Sequence, residues 1–477
     1  MHRRRKILTA LSVLAVIAPL SAVLAVTTGA SAAANPLPVT VTNNTGRSEP
    51  VYLYILSENL TTHAQGYVNA AGQFTAWSGG GLPPSPAPDV AIPGPANGAS
   101  ATLRIPQGVN GRIYFSFGEK LKLFLVPGGK LVQPAPWVSG DANFNILLDW
   151  SEFTYDAAGL FINSTQVDMV AVPHVVSVTG ASGTQRTGQV VADGRNKIIN
   201  AVKAQSGFDR SVITRSDGTV LRVLAPGKAL DAGLMSATYL DAYINTAWAA
   251  YASKPLTVVP YQEDPAQKFT GTVSGNTMTF RNTSGAVVAT FNKPVTKDVW
   301  GCAGNLAAPN DIVGAISRTL CAALNRSTLG ATSTEPDYNA ADFYKGTLTN
   351  HFSRIVHANM VDGRAYGFPF DDVGHFESLV HDANPSSASI TLTTFGAGGP
   401  PPSPQPTPST GPSPQPSTGP TTPPPPSNPG TTTWAPYTAY TVGQVVTYNG
   451  VRYQCRQSHT SIPGWEPPAV PALWQPI

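Results

Sequence analysis

The sequence predicts a mainly β protein that carries an α/β lobe and ends in a small, separate β module. Only 12% of the 477 residues are charged, whereas the chain has 44 glycines and 45 prolines. This composition is typical of turn-rich extracellular β proteins. Strand-like alternation dominates the first part of the chain, helical periodicity follows in the middle, and a proline-rich tract separates the last residues.

The N terminus, 1–34, has the pattern of a secretory signal peptide. Arg3–Lys6 is basic, the run from Ile7 to Val26 is apolar, and Ala30–Ala34 offers a small-residue cleavage site. Pro19 interrupts the apolar run, which disfavours a membrane anchor. Removal of residues 1–34 takes away four positive charges and no carboxylate, in a chain whose formal net charge is +3. We therefore expect a secreted, extracellular protein and exclude a strongly basic nucleic-acid binder.

The strands come at both ends of the first large domain, which we place at 35–396. Stretches 38–56 and 101–178 alternate as strands do, and 390–395 returns to this pattern. The order favours a β barrel or sandwich, with the last strand joining the first ones.

The middle of this domain is predicted to be helical. Apolar residues recur on one face of 310–325 and of 236–252. The α-rich lobe therefore extends over about 191–349, between β segments at about 35–190 and 350–396.

The cysteines predict one structural link and no metal site. In an oxidising compartment Cys302 and Cys321 can close a short loop onto the helix predicted at 310–325, whereas Cys455 lies beyond the proline-rich tract and is expected to form no disulfide. No Cys or His set has the short double spacing of a zinc site, so we expect neither metal nor cofactor.

A Pro/Ser/Thr linker at 397–432 separates the large domain from a module at 433–477. Positions 400–430 hold fifteen prolines and no charge, so this tract favours extended polyproline II and acts as a semi-rigid tether. The module reads as a hairpin around Asn449-Gly450 and contains three of the eight tryptophans.

Two carboxylates stand out as candidate catalytic groups, because no Gly-x-Ser-x-Gly elbow is present and the histidines are scattered. Glu152 shares one strand face with Trp150 and Thr154, and Asp168 follows on the next predicted strand. If the strands form an antiparallel pair that turns near Gly159, both carboxylates project from one face. Glycoside hydrolysis needs such a pair, whose separation distinguishes retention from inversion. On spacing alone, solvated strand-face residues remain an alternative.

The segments Leu148–Thr154 (LDWSEFT) and Val167–Val170 (VDMV) resemble glycoside hydrolase family 64, the bacterial endo-β-1,3-glucanases. The resemblance covers about 35–396. Within the family, this segment is similar to the laminaripentaose-producing members. It implies that Glu152 is the general acid and Asp168 the general base of an inverting hydrolysis of β-1,3-glucan.

The same resemblance implies a thaumatin-like β barrel or sandwich with a wide groove beside the α/β lobe. Val39–Thr45 (VTVTNNT) and Ala365–Asp372 (AYGFPFDD) are similar to that fold. Thaumatin-like proteins usually carry many disulfides, so only the core topology should transfer.

Further side chains near the pair are candidate sugar ligands. They could contact hydroxyls or stack on a ring, although each also fits ordinary turn or strand-end chemistry. These candidates are Asp141, Trp150, Thr154, Asp156 and Phe161, with Asp371 and Asp372 as possible additions to the groove.

The tail resembles the chitin-binding modules of carbohydrate-binding families 5 and 12, over Tyr440–Gly450 (YTVGQVVTYNG) and His459–Pro468 (HTSIPGWEPP). The position of Trp465 corresponds to the exposed binding tryptophan of those modules, and a flat indole suits a pyranose ring. Trp434 and Trp474 are expected in the core. A core position for Trp465 is the alternative.

The sequence thus favours a monomeric, secreted endo-β-1,3-glucanase that binds chitin or fungal wall polysaccharide through its tail. Two other functions remain open at this point. One is a chitinase or other polysaccharide hydrolase, and the other is a non-catalytic, thaumatin-like glucan-binding antifungal protein.

Overall fold

A computed structural model describes residues 36–396 and parts of the C-terminal module: 432–435, 438–440, 443–456, 459–460, 467–468 and 474–477. The predicted signal peptide, most of the linker and Trp465 lie outside the described residues. The large domain and the module are separate compact units and are described one at a time.

The large domain contains most of the strands. In chain order they are β1 (Leu37–Asn43), β2 (Val51–Asn59), β3 (Gln65–Val68), β4 (Phe74–Ala76), β5 (Ser85–Pro86), β6 (Ile92–Pro93), β7 (Ser100–Ile105), β8 (Val109–Phe117), β9 (Phe124–Val126), β10 (Lys130–Val132), β11 (Leu147–Asp156), β12 (Gly159–Asn163), β13 (Met169–Val170), β14 (His174–Gly180), β15 (Gly183–Thr187), β16 (Val212–Thr214), β17 (Val220–Leu224), β18 (Leu256–Val258), β19 (Phe269–Ser274), β20 (Thr277–Arg281), β21 (Val287–Asn292), β22 (Thr334–Glu335), β23 (Leu379–Asp382) and β24 (Pro385–Leu392).

All helices of this domain follow β15. They are α1 (Gly194–Ala204), α2 (Pro226–Asp231), α3 (Asp241–Ala250), α4 (Thr296–Gly301), α5 (Ile312–Arg326) and α6 (His351–Ala358), with short 3₁₀ turns at Asp209–Ser211, Gly304–Leu306 and Ala340–Asp342. Within the part of the chain that the structure describes, no helix is long and apolar enough to cross a membrane.

Two open sheets pack into a β sandwich. One has the strand order β15-β14-β24-β1-β7, and the other has eight strands in the order β23-β12-β11-β8-β2-β3-β4, with β6 beside β2. Their buried side chains, such as Val41 and Ile113, belong to one hydrophobic core. Neither strand order closes on itself over 36–396, so the sandwich is confirmed and the barrel alternative is wrong. The likeness to thaumatin stays a prediction.

The chain's late strand returns to its first one. β24 pairs in parallel with β1, with Val39 opposite Ala388. In β1 every second residue is buried from Leu37 to Asn43, as expected for a strand with one face in the core. The prediction that the end of the domain rejoins its beginning is confirmed.

The second lobe is less helical than the sequence predicted. α3 and α5 occur close to where the periodicity placed them, and Asp311 caps α5 by accepting a hydrogen bond from the Gly314 amide. However, five strands, β21-β20-β19-β18-β22, form a further sheet in the same region. The disulfide between Cys302 and Cys321 joins the residue after α4 to the buried side of α5, which confirms the predicted bridge.

The C-terminal module is a small β unit. Its strands are β25 (Thr432–Thr433), β26 (Ala439–Tyr440), β27 (Val445–Tyr448), β28 (Val451–Cys455), β29 (His459–Thr460) and β30 (Trp474–Pro476). Asn449 and Gly450 both have positive φ between β27 and β28, as a type I′ hairpin turn requires. Trp434 and Trp474 lie in the core, which confirms the prediction for these two residues.

Candidate active site

Glu152 lies on the open face of the large sheet. The first residues of β11 are buried, and the strand then alternates so that Glu152, Thr154 and Asp156 are partly exposed. Its neighbours across the sheet are Arg112 on β8 and Asn163 on β12. Directly paired residues of antiparallel strands point to the same face, so a guanidinium and an amide flank the carboxylate.

Asp168 reaches the site by a different route from the one predicted. The hairpin does turn just before Gly159, but β12 ends at Asn163, and the residue opposite Glu152 is Asn163. Asp168 precedes β13, which belongs to another sheet. The predicted direct pairing of the two carboxylate strands is therefore wrong.

The segment before Asp168 is held by the end of the domain. The Gln166 amide donates to the Tyr366 carbonyl at 2.9 Å, and the Tyr366 amide donates to Gln166 Oε1 at 2.9 Å. The Ser164 backbone amide donates to the Ser378 carbonyl, and the Ser378 hydroxyl donates to the Ser164 carbonyl. Contacts some 200 residues apart thus position Asp168, which explains why local strand reasoning missed the path.

Arg112 connects the two carboxylates. Its Nη2 atom donates to Glu152 Oε1 at 3.0 Å and to Asp168 Oδ2 at 3.2 Å. Lys228 Nζ, at the start of α2, lies 3.3 Å from Asp168 Oδ1. Because Arg112 Nη2 is hydrogen-bonded to both carboxylates, the distance between Glu152 Oε1 and Asp168 Oδ2 cannot exceed the sum of these two hydrogen-bond lengths. The structure thus brings Glu152 and Asp168 together, although not by strand pairing.

The environment of Asp168 keeps it ionised. Burial raises the pKa of this carboxyl, but the charges of Lys228 and Arg112 and their hydrogen bonds outweigh burial and leave the pKa below its usual value. Glu152 is hydrogen-bonded to Arg112 and, at 3.4 Å, to the Asn163 amide. The two carboxyl groups therefore differ in their charged neighbours, which suits one acid and one base.

Sequence reasoning did not identify Arg112 and Lys228. Both are single basic residues without a surrounding motif, and only the register of β8 against β11 and the docking of α2 bring them to the pair. One signal could have revealed Arg112: a predicted pairing of β8 with β11 would have placed this basic residue opposite Glu152.

A cavity of about 550 Å³ opens in front of the pair, which we call the groove. Glu152 and Asp168 line it on one side, and Trp300 and Cys302 of the second lobe line it on the other. A cavity of this size between two lobes is a typical ligand site. It confirms the predicted groove.

Trp150 does not face the groove, contrary to its prediction as a sugar ligand. Only 1% of the residue is exposed, because this part of β11 is buried on both faces. Its ring lies under Arg112, whose guanidinium carbon is 4.6 Å from the ring centroid. Trp150 therefore supports the arginine by a cation–π contact and is not positioned to stack on substrate.

The remaining candidates divide into turn residues and residues of the open face. Asp141 accepts hydrogen bonds from the Ala135 and Asn143 amides, and Asp156 accepts one from the Ala158 amide, as turn-stabilising carboxylates do. Thr154 and Phe161 are directly paired across β11 and β12 on the face of Glu152. A role in sugar binding stays a prediction for all four.

Asp371 and Asp372 are not among the residues that line the groove. Asp371 is fully buried, where it pairs with Arg326 at 2.9 Å and lies 2.9 Å from His357 Nε2. This buried cluster fixes the turn after Tyr366, so that the neighbouring Phe370 lines the groove instead. Over the described residues, no group of three or more His, Cys, Asp or Glu side chains could hold a metal ion.

The sequence of residues 35–392 matches the β-1,3-glucanase family, glycoside hydrolase family 64. The chain belongs to this family. It is 41% identical over 384 residues to the glucan endo-1,3-beta-glucosidase of Arthrobacter sp. (strain YCWD3), a match that covers 80% of this chain and 69% of the relative. This protein is thus a glycoside hydrolase with endo-1,3-β-glucanase activity. The two alternative functions, a chitinase and a non-catalytic glucan-binding protein, are not supported.

Solved structures agree with this assignment. A laminaripentaose-producing β-1,3-glucanase in complex with laminaritetraose superposes with a TM-score of 0.73 at 49% identity, over 76% of this chain and 99% of the other. A family 64 β-1,3-glucanase domain from Clostridium beijerinckii gives 0.63 at 27% identity, over 75% and 98%.

The tail matches a second family. Residues 433–475 correspond to carbohydrate-binding module family 5/12. Over 49 residues, 10% of this chain and 7% of the relative, the sequence is 63% identical to chitinase A1 of Niallia circulans. The predicted two-part composition, a glucanase domain followed by a carbohydrate-binding module, is confirmed.

Proposed function

We propose that this glucanase is a secreted, monomeric enzyme that hydrolyses β-1,3-glucan with inversion at the anomeric carbon and releases laminarioligosaccharides, chiefly laminaripentaose. The observation that carries the mechanism is the unequal surroundings of the two carboxyl groups. Asp168 has two cations in contact and a lowered pKa, which keeps it in the ionised form that a general base requires. The product length is supported by the laminaripentaose-producing neighbour at 49% identity.

In the proposed step, Asp168 removes a proton from a water molecule while the water oxygen bonds to the anomeric carbon. The glycosidic bond breaks at the same time, and its electron pair goes to the leaving oxygen, which takes the proton of Glu152. Exchange with solvent then restores the acid and the base. Arg112, bonded to both groups, keeps them oriented through the cycle.

The first-formed product should be the α anomer. In an inverting reaction water enters opposite the leaving group, so the β linkage yields an α hemiacetal. Proton NMR during the first minutes of laminarin hydrolysis would measure this, before mutarotation mixes the anomers. A β product would contradict inversion and would indicate a covalent glycosyl intermediate on one carboxylate.

The module is proposed to hold the enzyme on chitin or associated wall polysaccharide. The support is its match to family 5/12 and its likeness to a short segment of a chitinase. Trp465 is the proposed stacking residue, since Trp434 and Trp474 lie in the core. A tether raises the local enzyme concentration on a particulate wall without changing the active site.

Truncation after Phe395 should leave hydrolysis of soluble laminarin unchanged, because the groove and both carboxylates precede this residue. Retention on chitin and activity on particulate wall should fall about tenfold or more. Trp465→Ala should reproduce most of this loss, as one aromatic anchor carries much of a small interface. Chitin pull-downs and melting curves would compare the three proteins. Trp465→Ala protein that melts normally and binds as wild type would contradict the stacking role.

A further inference from the structure

Lys228 lies between the proposed base and a tryptophan. Its Nζ atom is 3.3 Å from Asp168 Oδ1 and 4.4 Å from the centroid of the Trp137 ring. Trp137 is buried, whereas the Lys228 side chain is 21% exposed. A lysine ammonium is a strongly hydrated charge on a flexible four-carbon stem, so it can turn towards solvent. The indole face attracts a cation and favours the position beside Asp168.

The backbone that carries Lys228 is fixed next to Asp168. The Ala225 amide donates to the Asp168 carbonyl at 3.0 Å. In addition, β17, which precedes α2, pairs with β13, which follows Asp168. The first turn of α2 therefore begins beside the base. These contacts place the Lys228 backbone, but they do not determine where its flexible side chain points.

The loop that carries Trp137 is fixed by the same stretch of chain. Arg222 on β17 is fully buried. Its Nη1 atom donates to the Pro136 carbonyl at 2.6 Å and to the Phe144 carbonyl at 2.8 Å, and its Nη2 atom donates to the Ile146 carbonyl. These hydrogen bonds lie on both sides of Trp137 in the sequence. Because β17 leads directly into α2, they fix the position of the ring relative to the lysine.

Both cations that contact Asp168 lie over an indole face. The guanidinium carbon of Arg112 is 4.6 Å from the centroid of Trp150, close to the distance between Lys228 and its ring. A planar guanidinium makes several directed hydrogen bonds, whereas an ammonium is a compact point charge. The position of Lys228 should therefore depend more strongly on its tryptophan than the position of Arg112 does.

We infer that Trp137 is a positioning residue for the proposed reaction, because its indole face keeps the Lys228 ammonium against the Asp168 carboxylate. The inference rests on the proposed function, since it concerns the surroundings of the base.

The other groups around Asp168 do not depend on this ring. Arg112 on β8 bonds Asp168 and also Glu152 on β11, and the Tyr114 phenol on β8 interacts electrostatically with Asp168. Loss of the indole face should therefore release Lys228 and leave these three groups in place.

Two substitutions of Trp137 test the inference. Trp137→Leu removes the aromatic face, whereas Trp137→Phe keeps a smaller face on a side chain of similar bulk to leucine. Without the face, the ammonium should spend less time at Asp168, and the pKa of this carboxyl should rise. On the acidic side of the pH profile, kcat/KM for laminarin should fall about two- to thirtyfold in Trp137→Leu, the range of a cation–π contact. Trp137→Phe should keep part of the lost activity.

Lys228→Met is the matched background for these variants. If the ring acts through the lysine, Trp137→Leu should have no further effect on the acidic limb once the ammonium is absent. Melting curves for all variants separate a loss of folding from a shift of the profile. If Trp137→Leu unfolds at the assay temperature, Trp137→Phe should still shift the profile of the wild type and not that of Lys228→Met.

Three results would overturn the inference. A loss of the same size in both backgrounds would show that Trp137 does not act through Lys228. Equal losses in Trp137→Leu and Trp137→Phe would assign the effect to packing instead of the aromatic face. A rise in KM with an unchanged pH profile would reassign Trp137 to sugar binding.

The failure of this inference differs from the failure of the proposed function. Full turnover in Asp168→Asn would remove the base from the mechanism, and the role of Trp137 would fail with it. An inactive Asp168→Asn beside a Trp137→Leu variant with the wild-type pH profile would reject only the role of Trp137.

Discussion

Glu152→Gln and Asp168→Asn should each lower turnover on soluble β-1,3-glucan by about 10²–10⁴-fold, the usual effect of losing a positioned general acid or base. Both substitutions keep the shape of the side chain, and Arg112 retains an oxygen acceptor in each. Turnover of laminarin, followed by reducing-end release, would measure the loss. Near wild-type turnover in either variant would remove that residue from the mechanism.

The two variants should differ in their substrate dependence. A dinitrophenyl laminarioligoside has a leaving group that departs without a proton. On this substrate Glu152→Gln should recover much of the hydrolysis rate. Asp168→Asn should not recover, since water still lacks its base. Equal recovery in both would contradict the assignment of acid to Glu152 and base to Asp168.

Loss of either cation at Asp168 should move the acidic limb of the kcat/KM profile to higher pH. Lys228 and Arg112 hold the pKa of Asp168 below its usual value despite burial. In Arg112→Met or Lys228→Met this pKa should rise, because burial is then opposed by only one positive charge. The base must be ionised to act. If its pKa is higher, it becomes protonated at a higher pH, and activity is lost there.

The two substitutions also form a matched pair. Each removes one positive charge and keeps an aliphatic stem, but Arg112 contacts both carboxylates and Lys228 contacts only Asp168. Arg112→Met should therefore lower kcat at the pH optimum about tenfold further than Lys228→Met, because Glu152 also loses its main partner. Coincident pH profiles for the wild type and both variants would contradict this account of the site.

The groove depends on contacts that are remote in sequence. Arg326 and Asp371 form a buried pair, with Phe343, Phe368 and Phe376 around the guanidinium. Such a pair is sensitive to the loss of one member, since the other is left as an uncompensated buried charge. It holds the segment that begins at Tyr366, and the same segment bonds the residues before Asp168.

The sequence by itself predicted the strands at both ends of the large domain, helices α3 and α5, the module hairpin and the two carboxylates. Alternation at Leu37–Asn43 and the Asn449-Gly450 turn are local consequences of side-chain pattern and backbone sterics. Family-specific segments around Glu152 and Asp168 carry information that short periodicity does not, and these residues do meet in the structure.

Only the tertiary structure decided how the site is built. Trp150 follows the same alternation as Glu152, yet it is buried because the start of β11 is covered on both faces. Asp168 lies on no strand beside Glu152, and Arg112 and Lys228 join it through strand register and helix docking. These are contacts between distant parts of the chain, and no local pattern encodes them, because their energy depends on burial and charge that exist only after folding.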